Sequence, residues 1–172
     1  MYKIIKILFF LILLNNAYCK NNNLIQRNKI LYKTIENKNW TLSRIKDNGY
    51  IVFFRYLTKT PKNIKLKDYP YMISIFWSYP IVDGSGFPSK DILKAHEDIE
   101  TSLNILDDHI NSFYVAQITG NGRKEWIWYT RNIDIWWEQF IKALKGHPKY
   151  PLDIETDKEP NWERYKLISK NK

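Results

Sequence analysis

Cysteine is nearly absent. The 172 residues contain one, Cys19, and it falls in an N-terminal leader. A disulfide framework is therefore excluded for the domain; with no CxxC pair and no zinc spacing, thiol chemistry and structural metal go with it. Glycine is scarce at 6 residues, and none is arranged as a phosphate-cradling loop. No HExxH stretch occurs. The one Gly-Ser-Gly, around Ser85, lacks the strand-Gly-x-Ser-x-Gly-helix setting of a nucleophile elbow, so Ser85 reads as a turn residue. No apolar run is long enough to cross a bilayer: the longest, residues 7–14, has eight residues.

Arginine is the third shortage. Lysines outnumber arginines 21 to 6, so the formal charge of +9 rests mainly on the residue less suited to bidentate phosphate recognition. With Asn and Ile abundant, this is the pattern of an A+T-rich genome, and the basicity reads as background. It is uneven, however. Residues 20–67 hold twelve Lys or Arg against Glu36 and Asp47, whereas residues 91–108 hold six acids against Lys94 alone. Such asymmetry can steer a partner; the plainer reading is a solvated basic arm beside a solvated acidic helix face.

What is present is aromatic side chain, 16% of the chain, enough to build one core without staples in a chain of single-domain length. The richest stretch is residues 113–130. Two aromatic and β-branched runs flank Gly120-Asn121-Gly122, which reads as a β-hairpin because glycine and asparagine tolerate the positive φ of a tight turn. On its outgoing strand Trp126, Trp128 and Thr130 share one face, and Glu125, Ile127 and Tyr129 the other.

Residues 1–19 read as a secretory signal peptide. Lys3 and Lys6 precede the apolar run, and Ala17-Tyr18-Cys19 offers small residues before Lys20. The expected product is exported, to the periplasm or outside the cell, with no transmembrane helix in the mature chain. Lipoprotein anchoring through an acylated Cys19 fits less well, since Tyr18 and Asn16 stand where small and Leu-like residues belong; an uncleaved anchor ranks third. Residues 20–39 are expected as a flexible lead-in, or one short helix through Ile30, Leu31 and Ile35. Residues 40–168 form a single domain. Strands are expected at 40–45 and 50–56 around Asn48-Gly49, then a Lys- and Pro-containing loop at 58–69 and a strand at 72–79. A helix follows, capped by Ser89, with Ile92, Ala95, His96, Ile99, Leu103 and Leu106 on its buried side. After the hairpin comes a helix capped by Asn132, carrying Ile133, Trp136, Trp137, Phe140, Ile141 and Leu144 inward. An edge strand at 150–156 and a short closing helix through Trp162, Tyr165 and Ile168 end the domain. Strand, helix, strand, strand, helix, strand predicts an α+β, ferredoxin-like βαββαβ sandwich with an extra N-terminal β-hairpin, two helices covering one sheet face.

Four motifs in this order carry a resemblance. They are Gly86-Phe87-Pro88, then Glu97-Asp98, then Thr119-Gly120-Asn121-Gly122-Arg123-Lys124-Glu125 with its Trp-Ile-Trp-Tyr strand, and finally Glu159-Pro160-Asn161-Trp162-Glu163-Arg164-Tyr165. Over roughly residues 40–168 the chain resembles the bacterial family catalogued as domain of unknown function 695. Where the family has Asp before the proline of the last motif, this chain has Glu159. The resemblance implies no established activity. Some members are joined to a domain similar to the regulator-B inhibitors of ribonuclease E, which act by binding protein; this sequence shows no such domain.

The candidate polar constellation is Glu97, Asp98 and Glu125 with Arg123. Carboxylates from a helix and a neighbouring strand would make an acid/base pair if one were buried with a raised pKa; otherwise Arg123 and Lys124 pair with acids and fix the hairpin to the helix. His96, on an apolar helix face, reads as a packed, hydrogen-bonded core residue, and His147 as a helix C-terminal cap. Asp107-Asp108-His109 reads as a solvated helix end, since adjacent side chains rarely converge on a metal. Trp126 and Trp128, beside Arg123 and Lys124, would suit base stacking on an RNA-recognition sheet. The Lys/Arg-Gly-aromatic signature of such sheets is missing and the leader argues for export, so both indoles read as core. The leading expectation is an exported, non-catalytic domain that binds an unidentified protein or envelope component, without metal or cofactor. The rivals are a nucleic-acid-binding or ribonuclease-regulating module and a hydrolase using Glu97, Asp98 and Glu125.

Overall fold

The computed structural model describes residues 35–37 and 40–170. The chain divides into two units, Met1–Tyr32 and Lys33–Lys172, and all the described residues belong to the second. The leader and most of the lead-in expected above lie outside the described residues.

Seven strands make one antiparallel sheet: β1 (Ile35–Asn37), β2 (Trp40–Asp47), β3 (Tyr50–Leu57), β4 (Tyr71–Ser78), β5 (Ser112–Gly120), β6 (Arg123–Thr130) and β7 (Leu152–Lys158). Their order across the sheet is β1-β2-β3-β5-β6-β4-β7. Among the described residues three α-helices join them: α1 (Lys90–Leu103), α2 (Ile133–Ala143) and α3 (Glu163–Ser169). The domain is α+β. Residue 35 is in a strand, not the alternative short helix: Ile35–Asn37 pairs antiparallel with residues 40–42.

Both long hairpins close on asparagine–glycine turns. Asn48 and Gly49 have φ of 47° and 91°, and Asn121 and Gly122 of 52° and 73°, the double positive φ that matches strand twist in a two-residue turn. Gly120 is needed for a further reason: a Cβ there would lie 2.9 Å from the Val52 Cα and closer still to the Ile51 carbonyl oxygen. That close approach lets β3 pair with β5, with Phe53 opposite Thr119 and Arg55 opposite Gln117. The 40–57 hairpin therefore extends the sheet edge-on.

Helix starts follow the capping residues. The Ser89 hydroxyl accepts from the Ile92 N–H, and the Asn132 side chain from the Ile135 N–H at 3.1 Å. Helices α1 and α2 bury Ile99, Leu103, Trp136 and Phe140 against Ile73, Ile75, Trp126 and Trp128; Ile141, expected inward, is 67% exposed. The two long helices cover one face, as expected. On the other face, to which the sequence assigned no cover, α3 and the 58–70 loop bury Tyr56, Met72, Phe113, Ile127, Tyr129, Trp162 and Tyr165 as a second core. The cause is visible in β6, whose residues 124–130 are all buried: Ile127 and Tyr129 need cover as much as the tryptophans do. Trp162 anchors this layer. Its ring stacks on Tyr129 at 4.3 Å and its Nε1–H donates to the Tyr69 carbonyl at 3.0 Å.

Candidate functional site

Strand β6 divides the candidate residues by parity. Arg123 and Glu125 face the α3 side, and Lys124, Trp126 and Trp128 face α1 and α2. Glu97 and Asp98 are exposed on the outside of α1. The three carboxylates are thus not one cluster: Glu125 lies under the opposite sheet face from the helix that carries the other two. Trp126 and Trp128 are 1% and 2% exposed, so neither presents a ring to solvent for base stacking.

On the α3 side, Glu125 is 1% exposed and is held by three partners. Arg164 Nη2 donates to both carboxylate oxygens at 3.2 and 3.4 Å, and the Ser74 hydroxyl donates at 3.3 Å. The Arg123 guanidinium lies 3.6 Å from Oε2 and over the Phe76 ring. Nearby, the Tyr129 hydroxyl donates to Glu159 Oε2 at 2.6 Å, and that oxygen also accepts the Arg164 backbone N–H. Burial, then the Glu159 carboxylate, hold the Tyr129 phenol protonated far above its ordinary range. This is a clasp tying the hairpin to the C-terminal helix. Arg164 is its missing member in the sequence reading; its one signal was its place in the last motif.

The turn of the hairpin is clasped too. Gly122 N–H donates to the Gly86 carbonyl at 3.0 Å, and Tyr79 donates its hydroxyl to the same oxygen and its N–H to Gly122. Phe87 then stacks on Phe53 at 5.5 Å. Three of the four sequence motifs are therefore docked to one another.

The opposite face holds a cleft of about 70 Å³ beside the C-terminal end of α1. Its floor is the cross-strand row Arg55, Gln117, Trp126 with Tyr114 and Trp128; its wall is Glu100, Leu103, Asn104 and Asp107. Glu100 accepts the Trp126 indole N–H at 2.8 Å and pairs with Lys124, through the same oxygen. Asp107 Oδ1 accepts the Tyr114 backbone N–H at 2.9 Å, and burial raises the acid's pKa. Burial and the Glu100 charge likewise keep the Tyr114 phenol protonated; its hydroxyl donates to Gln117. Trp40 packs on Tyr114 at 5.3 Å and carries the Arg55 guanidinium 4.2 Å over its ring.

The histidines settle differently from one another. His96 is fully buried among Trp77, Tyr79 and Trp126, and neither ring nitrogen has a hydrogen-bond partner, so the expected hydrogen bond is not made. Burial, then the Lys124 charge, depress its pKa to about 4. His147 is a bridge and not a helix cap: Nε2 meets the Ser102 hydroxyl at 2.9 Å and Nδ1 the Tyr150 hydroxyl at 3.1 Å. Asp108 organises its loop, accepting the N–H groups of Ile110, Asn111 and Ser112. Among the described residues no group of three His, Cys, Asp or Glu is placed to hold a metal ion.

The described residues thus form a seven-stranded α+β domain with an internally satisfied carboxylate on one sheet face and a cleft on the other. The family model of DUF695, a family of unknown function, matches residues 38–167, and the chain belongs to that family. No curated protein and no solved structure matches it.

Proposed function

We propose that the chain is an exported, non-catalytic binding module with a ferredoxin-like core, acting on a protein or envelope component. The observation that carries this reading is the consumption of Glu125. The one buried carboxylate among the candidates is spent on Arg164, Ser74 and Arg123, and the other two acids stand in solvent on the far side of the sheet. Acid/base catalysis needs a carboxyl free to move a proton at a substrate, and this arrangement favours holding a fold together.

The ferredoxin-like description rests on the run β4, α1, β5, β6, α2, β7, with β6 lying between β4 and β5. Export rests on the leader at residues 1–19. The surface that suits a macromolecule is the helix-side face of β2 and β3, where Arg44, Lys46 and Ile51 are exposed beside the half-buried Leu42 and Phe53. No helix among the described residues is long and apolar enough to cross a membrane.

Two measurements test the reading. Intact mass of the native protein from separated host fractions should find a chain starting at Lys20 outside the cytoplasm; a full-length cytoplasmic chain refutes export. A photo-crosslinking residue at position 51 should yield one discrete adduct in the host envelope, and the same residue at position 167 on α3 should not. Equal labelling from both positions refutes the assigned surface.

A further inference from the structure

The cleft on the helix side has unspent hydrogen-bonding capacity of both signs. Arg55, on its lining, is fixed over Trp40 and makes no hydrogen bond or ion pair with any described residue. Its guanidinium is a charged, forked donor held in one direction. Across the cleft stand Glu100 and Asp107. Each spends one carboxylate oxygen on protein, Glu100 on Trp126 and Lys124, Asp107 on the Tyr114 N–H and His109, and each keeps a second oxygen without a partner among the described residues.

Size and charge narrow the ligand. A cleft of about 70 Å³ holds on the order of five to seven water-sized groups at roughly 10–15 Å³ each. The two carboxylates disfavour a dianion such as phosphate, and Arg55 disfavours a bare cation. Five non-hydrogen atoms, with a carboxylate at one end and an ammonium at the other, fit both the volume and the charge pattern. We propose that the cleft lined by Arg55, Glu100 and Asp107 binds a free α-amino acid. Arg55 takes its carboxylate, and Glu100 and Asp107 take its ammonium. Burial raises the Asp107 pKa, and an ammonium beside it would favour the ionised form. This inference goes beyond the macromolecular partner proposed above and stands without it.

The test is calorimetric titration of the purified full chain with each of the common α-amino acids at millimolar concentration, beside N-acetyl derivatives and inorganic phosphate. At least one free amino acid should bind, with its N-acetyl derivative and phosphate silent. Arg55→Gln should weaken that binding roughly ten- to hundredfold, the effect of losing one charge-assisted contact. Lys166→Gln, exposed on α3 on the other side of the sheet, should leave it unchanged. Since Arg55→Gln alters a half-buried side chain on the sheet surface, its melting curve serves as the control for folding, and Glu100→Gln gives a second, independent loss of affinity. The proposal is overturned if no free amino acid binds, if an N-acetyl derivative or phosphate binds as well, or if folded Arg55→Gln and Glu100→Gln proteins bind like the parent.

Discussion

Replacing Arg164 by methionine tests whether the clasp beneath α3 holds the domain together. The substitution keeps the length and apolar stem of the side chain and removes the guanidinium that donates to both oxygens of Glu125. Glu125 is left 1% exposed with the Ser74 hydroxyl at 3.3 Å and the half-exposed Arg123 at 3.6 Å. Removing one partner of a fully buried ion pair costs about 3–5 kcal/mol. Arg164 is a quarter exposed and Arg123 remains, so discounting for solvent leaves about 2–3 kcal/mol. At roughly 2–4 °C per kcal/mol for a chain of this size, Tm should fall by about 4–12 °C. Urea unfolding followed by tryptophan fluorescence measures the loss directly, since Trp162 is buried in the same layer. Glu125→Gln, which leaves a guanidinium able to reach solvent, should cost less, and a double-mutant cycle between the two should return a coupling of about 1–2 kcal/mol. A loss under about 0.5 kcal/mol for Arg164→Met, with a larger loss for Arg123→Met, would refute the reasoning by making Arg123 the principal partner.

Other parts of the fold answer to single substitutions as well. His96 has a folded pKa of about 4 against an ordinary value near 6.5. The unfolded chain therefore binds the proton more readily, and stability present above pH 6.5 should drain away by about 3 kcal/mol as pH falls to 4; His96→Leu should flatten that slope in urea midpoints taken across the range, and an unchanged slope would count against it. Gly120→Ala should abolish or severely destabilise folding, because its methyl would enter the Ile51–Val52 backbone, where Gly49→Ala meets no atom and strains only its turn; soluble yield and circular dichroism separate the two. Asp108→Ala frees three backbone N–H groups and the Gln139 amide, should cost about 1–2 kcal/mol, and should speed amide hydrogen exchange at Ile110, Asn111 and Ser112 before any other loop.

Most of the fold was legible because its punctuation is local. Asn48-Gly49, Asn121-Gly122, Ser89 and Asn132 each act within four residues of themselves, and each stands in the structure where its chemistry places it. The second core was not legible for the opposite reason. Trp162 and Tyr165 read as a closing helix, but nothing nearby in sequence says they cross under the sheet to meet Tyr69 and Leu57, 93 and 108 residues away. The candidate site failed along the same line. Glu97, Asp98 and Glu125 are separated by a sheet whose strand parity was read correctly, but nothing local said which parity faces α1. Asp107 and Asp108 looked like a solvated end because an acid that accepts backbone N–H groups has the same sequence signature as one that does not.

The location of the motifs bears on what they mean. Gly86-Phe87, the hairpin turn with Glu125, and the run from Glu159 to Tyr165 join each other through Gly122–Gly86, Glu125–Arg164 and Tyr129–Glu159 contacts. The cleft is lined instead by Arg55, Glu100, Asp107, Tyr114 and Gln117, none of which lies in a motif; only the Trp126 and Trp128 floor is shared. Residues that clasp a fold and residues that line its cleft are thus largely separate sets, carried on opposite faces of β6. A change at Arg55 or Gln117 alters the cleft without touching the clasp, and a change at Arg164 does the reverse. Clasp and cleft can therefore be perturbed one at a time, and a loss of stability told apart from a change in the cleft.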